Sequence, residues 1–381
     1  MFSFLINVLT SNITQGSLWS FCYFFPIIYN FFITSVLFYL IPNIKVFIKN
    51  ETSYSYTLFQ FISSSSIKYF IFFPLFTIIF IMFTWSGPTV LIWYNHLIFS
   101  NWQYRLSFYL TINFFFILIV YNTILFFTNS DLYDYYITIY NFYLWLFFMF
   151  FSNNFFTFIF FIEILSTLII LMITTSTFSS TYFFNQISFT KYSYFQNLSV
   201  SSFIKTLIFF FWTSLLASLT LFLFLLLFYL NVVTFDWYFS EIVFTYLLSI
   251  SDIKTLFTLS MAWLIVIFCF FLKCGVVPFF FWKPNFFKGM SFHSLFFYIC
   301  FFYFHLLLFL IYYFIVYMNE LFYFNNIIHL IVLIIGVVLL TLLLFESYYI
   351  KSFLAFSSIL NTLLIFLGLT SFHTTDIYFY F

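Results

Sequence analysis

Apolar residues run through this chain in blocks of about twenty, each broken by a short polar or charged stretch. A block of that length is what one membrane-crossing helix requires. The pattern predicts ten spans: 17–44, 69–95, 105–128, 134–152, 155–175, 203–231, 255–282, 291–318, 325–345 and 352–372. Most connections are short. Two are longer, the Ser/Thr/Tyr-rich stretch 176–202 and the acidic stretch 232–254, which carries Asp236, Glu241 and Asp252 and has room for a short interfacial helix.

The sparse charges test that count. Connections after odd-numbered spans hold Lys45, Lys49, Lys68, Lys191, Lys205, Lys283, Lys288 and Lys351, against Glu51, Asp131, Asp134 and Glu346. Those after even-numbered spans, with the C-terminal tail, hold only Arg105 and Lys254, against Asp236, Glu241, Asp252, Glu320 and Asp376. Basic residues thus gather on one side, which marks the inner face and places both termini outside. In this count only Glu163 and Lys273 lie at depth, the other charges falling in connections or at span ends.

Composition agrees with the pattern and narrows the function classes. Hydrophobic residues make up 65% of 381 positions and charged residues 6%, where soluble proteins average about 25% charged. The fold class is therefore an all-α polytopic membrane protein. A net charge of +1 lacks the basic patch that a nucleic-acid partner needs. Cys22, Cys269, Cys274 and Cys300 have no metal-ligand spacing and read as small buried hydrophobes. No dinucleotide, Walker or haem-attachment motif occurs, so no cofactor or metal is expected. The 75 Phe and 31 Tyr exceed what a bilayer demands and point to an AT-rich genome of the organellar kind. The start, MFSFLINVLT, has no basic residue and matches neither a signal peptide nor a transit peptide.

Candidate chemistry concentrates in 271–289, FLKCGVVPFFFWKPNFFKG. Lys273 lies deep in an apolar run, and Gly275 and Pro278 follow where the helix should continue. Proline has no amide hydrogen, so the Cys274 carbonyl loses its helical partner. In lipid that loss is tolerated only where protein or enclosed water replaces it. A broken helix lining a polar cavity is a common construction at transporter ion sites.

Glu163 lies about 12 Å into the fifth span. A charged side chain at that depth costs about 3 kcal/mol. Pairing Glu163 with Lys273 offsets both costs, and an isolated buried pair is a poor stabiliser, so a functional role is preferred to a structural one. His305 and His329 are also within spans. His305 is the candidate for a proton relay, whereas His329 reads as structural. His293 and His96 sit at span ends and read as interfacial anchors, and Phe279 to Trp282 as packing.

The run Lys273, Gly275, Pro278, Phe279, Phe281, Trp282, Pro284 and Gly289 resembles the chain 2 family of respiratory complex I (NADH:ubiquinone oxidoreductase), whose antiporter-like subunits share a lysine in a broken seventh helix. Two further segments agree in order and spacing: FFIEILSTL around Glu163, and KSFLAFSSILNTLLIFLG from Lys351 to Gly368. The resemblance implies three leading helices (1–130), a first five-helix repeat (131–320) and the start of a second, inverted repeat (321–381). It also implies proton translocation without a redox group of its own, in the mitochondrial inner membrane, coupled to electron transfer from NADH to ubiquinone. The implied partners are other membrane-arm subunits and lipids.

Three departures stand out. The family's eighth helix carries a lysine about thirty residues after the seventh-helix lysine, where this chain has Tyr303, with His305 two residues on. Phe356 replaces the usual tyrosine. Ten spans leave the family's last helices to be supplied by a companion chain, as in a split subunit. An Mrp-type cation/proton antiporter subunit is the alternative reading, and a transport-inactive scaffold subunit of the same assembly is the other.

Overall fold

The computed structural model describes residues 90–92, 96–123, 129–187, 193–232, 234–237, 242–243, 246, 253–317 and 326–370. The first predicted span, 17–44, lies outside them. Helix dominates. In chain order the helices are α1 (Asn101–Thr123), α2 (Asn129–Phe150), α3 (Phe155–Ile187), α4 (Ser193–Val232) and α5 (Ile253–Cys274). Then come α6 (Trp282–Gly289), α7 (Phe292–Phe297), a π-helical segment (Tyr298–Tyr303), α8 (Phe304–Tyr317), α9 (Asn326–Phe345) and α10 (Ile350–Thr370). Among the described residues, four stretches are long and apolar enough to cross a membrane: Phe155–Thr175, Phe203–Leu230, Ser294–Ile311 and Ile350–Gly368. The protein is an all-α polytopic membrane protein.

Two expectations need correction. The end of the predicted span 69–95 is strand: Val90–Ile92 pairs antiparallel with Leu97–Phe99. The hairpin is held on its second strand by 151–153, through Ile98 N to Phe151 O at 2.8 Å and Asn153 N to His96 O at 2.9 Å. An apolar run of strand length carries no period that distinguishes it from helix, and here a local backbone partner decides. The predicted connection 176–202 is mostly helix as well, because α3 continues to Ile187 and α4 begins at Ser193. Hydroxyl side chains do not forbid this. Thr174 Oγ1 donates to Leu171 O at 2.8 Å and Thr175 Oγ1 to Met172 O at 3.1 Å, satisfying the hydroxyls inside the helix.

The chain divides into two compact units, residues 1–153 with 167–187, and 154–166 with 188–381. In the first, α1 and α2 pack through aromatic rings; Phe114 stacks on Tyr143 at 4.4 Å and meets Tyr140 edge-on at 5.2 Å. In the second, the start of α3 joins α4 to α10. Phe158 stacks on Phe309 of α8 at 5.1 Å, and Phe210 of α4 on Phe286 of α6 at 5.0 Å. α4 turns Ala217, Leu221, Phe224 and Phe228 inward and leaves Trp212, Leu219, Leu226 and Leu230 exposed. An apolar outer face of this kind suits lipid contact.

Candidate functional site

The site is built where α5 stops. Gly275 has φ +63°, and two backbone bonds close the terminus: Val276 N to Phe271 O at 2.9 Å and Gly275 N to Leu272 O at 3.3 Å. This is the Schellman arrangement, in which a left-handed residue after the helix lets its last carbonyls be capped. The helix therefore ends at Cys274 through Gly275, inside the predicted span 255–282 and before Pro278 is reached. Pro278 lies in the seven-residue passage 275–281 before α6 begins at Trp282.

Side chains from beyond the break return to the exposed carbonyls. Trp282 Nε1 donates to Leu272 O at 3.0 Å. The Cys274 carbonyl accepts two donors, Lys283 Nζ at 3.1 Å and Tyr303 Oη at 3.0 Å. The backbone gap is thus closed by protein groups, as burial in lipid demands. On the far side, Lys351 at the start of α10 donates through Nζ to Met290 O at 2.6 Å, beside the carboxyl end of α6. A cation there also complements the helix dipole.

Lys273 occupies the last turn of α5, where the negative end of the helix dipole favours an ammonium. Its Nζ lies 2.6 Å from Glu163 Oε1 on α3. The enclosure is unequal: the lysine side chain is 11% exposed and the glutamate 30%. Phe161, Ile162 and Leu165 beside Glu163 are buried, so the carboxylate stands at the edge of its packed face, reachable from outside by a polar group.

His305 is wholly buried, with Nδ1 2.6 Å from the Phe301 carbonyl of its own helix and its ring against Phe301 and Phe304. Tyr303, not His305, supplies the hydroxyl at the break. The π-helical segment Tyr298–Tyr303 lies directly before His305, and such insertions recur at functional sites.

Sequence reasoning missed Lys283. It was counted in an inner connection, but its side chain is fully enclosed, so the tally that left only Glu163 and Lys273 at depth is corrected by a third charge. Lys283 directly follows the apolar run 276–282, and residue order alone does not show which way its side chain turns. Cys300 is also exposed, unlike Cys269 and Cys274, which are buried free thiols as expected.

No protein-family model matches the chain, and no curated protein matches it. Solved structures do resemble it. A chain from respiratory complex I of Thermus thermophilus with bound aureothin superposes with a TM-score of 0.58 at 13% identity, covering 90% of this chain and 64% of that one. A chain of the membrane-bound sulfane sulfur reductase, an archaeal respiratory membrane complex, gives 0.59 at 12% identity, covering 81% and 48%. This chain therefore spans under two thirds of the length of either neighbour. At these identities the likeness is one of fold, and the chain folds like chains of two respiratory complexes.

Proposed function

We propose that this chain is a proton-translocating membrane-arm subunit of respiratory complex I, of the chain 2 type, in the mitochondrial inner membrane. The observation that carries the reading is the Glu163–Lys273 pair, 2.6 Å apart, at a helix terminus that Gly275 caps. The fold likeness to chains of two respiratory complexes supports it. The chain itself holds no redox group in this reading.

Close to Glu163, the Lys273 ammonium is stabilised by the carboxylate. Weakening that contact, by protonating Glu163 or drawing it outward, removes the stabilisation and favours release of a proton from Nζ. The proton passes through enclosed water toward the next polar group beyond the break, with His305 a candidate, and a proton from the opposite side restores the ammonium. Gly275 and Pro278 keep that passage non-helical. The first repeat, 131–320, then contains the whole relay.

The test uses the assembled complex in liposomes. Glu163→Gln and Lys273→Met are each expected to lower NADH-driven proton uptake by about tenfold or more, the range general acid–base groups supply, with assembly retained. Normal uptake in both variants rejects the relay. The chain is also expected to co-migrate with NADH dehydrogenase activity; an Mrp-type antiporter subunit would not.

A further inference from the structure

Resting on the relay just proposed, we infer that Lys283, seated beside Tyr303, is a second proton-holding amine of the same path. Its side chain is wholly enclosed on the short helix that follows the break. Nζ donates to the Cys274 carbonyl at 3.1 Å and lies 3.8 Å above the Tyr303 ring. Among the described residues no carboxylate pairs with it; the ionisable residues it meets, Cys274 and Tyr303, are acids neutral at ordinary pH. A carbonyl and a ring face stabilise an ammonium, but less than a carboxylate does, so the charged and neutral forms of this amine are brought closer in energy.

The seat is built for the lysine. A Cβ on Gly275 would come within 3.0 Å of Lys283 Cδ and 3.2 Å of its Cβ. Nor does the carbonyl itself call for a cation, since the Tyr303 hydroxyl already satisfies it at 3.0 Å. Lys273 precedes Cys274 in the chain, so the residue paired with Glu163 is next to the one whose carbonyl Lys283 holds. The step is a proton exchange alone: Nζ of Lys283 gives a proton to enclosed water and regains one from the Lys273 side.

The experiment compares variants in the assembled complex in liposomes, measuring protons taken up per NADH oxidised across pH. Lys283→Gln keeps a donor for the carbonyl but cannot carry the proton, and is expected to lower the ratio by about tenfold or more, general acid–base groups contributing roughly 100-fold and up. A native ratio in Lys283→Gln overturns the inference. Tyr303→Phe keeps the ring and leaves the carbonyl to Lys283 alone, so the ammonium is held more tightly. The alkaline limb of its profile is expected to move up by roughly half a pH unit, the scale of one shared hydrogen bond. Should Lys283→Gln fail to assemble, an unmoved limb in Tyr303→Phe overturns the inference instead. Loss in Lys273→Met with a native Lys283→Gln rejects Lys283 and keeps the pair. Loss in Lys283→Gln with a native Lys273→Met keeps Lys283 and rejects the pair.

Discussion

Lys273 and Lys283 stand on either side of one helix terminus, and their surroundings differ in kind. Lys273 has a carboxylate at 2.6 Å; Lys283 has a carbonyl and an aromatic face. Removing one member of the pair leaves the other without compensation, whereas removing both leaves an apolar contact. Lys273→Met is therefore expected to destabilise by about 2 kcal/mol, reduced from the 3–5 kcal/mol of a fully buried pair because Glu163 is part-exposed. The double variant with Glu163→Gln should recover part of that loss, as read from the thermal midpoint of the purified complex. Additive losses would mean the two side chains are not energetically coupled. Glu163 and Lys273 were legible in the sequence because charge is so rare there. Lys283 was not, because residue order alone does not say whether α6 turns a side chain outward or back toward α5.

At the scale of elements, two glycines let backbone and side chain approach closely. Gly275→Ala forces a side chain into left-handed backbone, costing about 1–2 kcal/mol, and crowds Lys283 at 3.0 Å. A Cβ on Gly289 would lie 2.0 Å from Thr206 Cγ2 of α4, so Gly289→Ala must push α6 from α4, at about 1–3 kcal/mol. Thermal denaturation of the assembled complex should show both losses, with Thr206→Ala restoring part of the second and none of the first. The broken helix was readable from Gly275 and Pro278, yet its end was misplaced. Proline breaks a helix by what it lacks, whereas the left-handed Gly275 ends it earlier by capping Phe271 and Leu272. The helical extensions into 176–202 were hidden for a related reason: Ser and Thr favour loops only where their hydroxyls find no carbonyl within the helix.

For the whole molecule, the asymmetry of basic residues makes a prediction about sidedness. Single cysteines at Lys49 and Ser347 are expected to react with an impermeant thiol reagent from one side of sealed vesicles, and a cysteine at Glu320 from the other. Labelling of all three from one side would overturn the predicted span count.

The sequence by itself determined the class of the protein and the two charged residues, Glu163 and Lys273, that stand out in its apolar runs. Runs of about twenty apolar residues leave backbone groups no partner in lipid except those within helices, and a charge inside such a run is too costly to be incidental. Tertiary structure alone decided who meets whom. The 2.6 Å approach of Glu163 to Lys273 joins residues 110 positions apart, and the enclosure of Lys283 depends on α6 folding back so that its amine and the Tyr303 hydroxyl share one carbonyl. Local pattern records which groups need partners; only the packed chain chooses among those available, because many pairings satisfy the same local demand and one arrangement satisfies them all together.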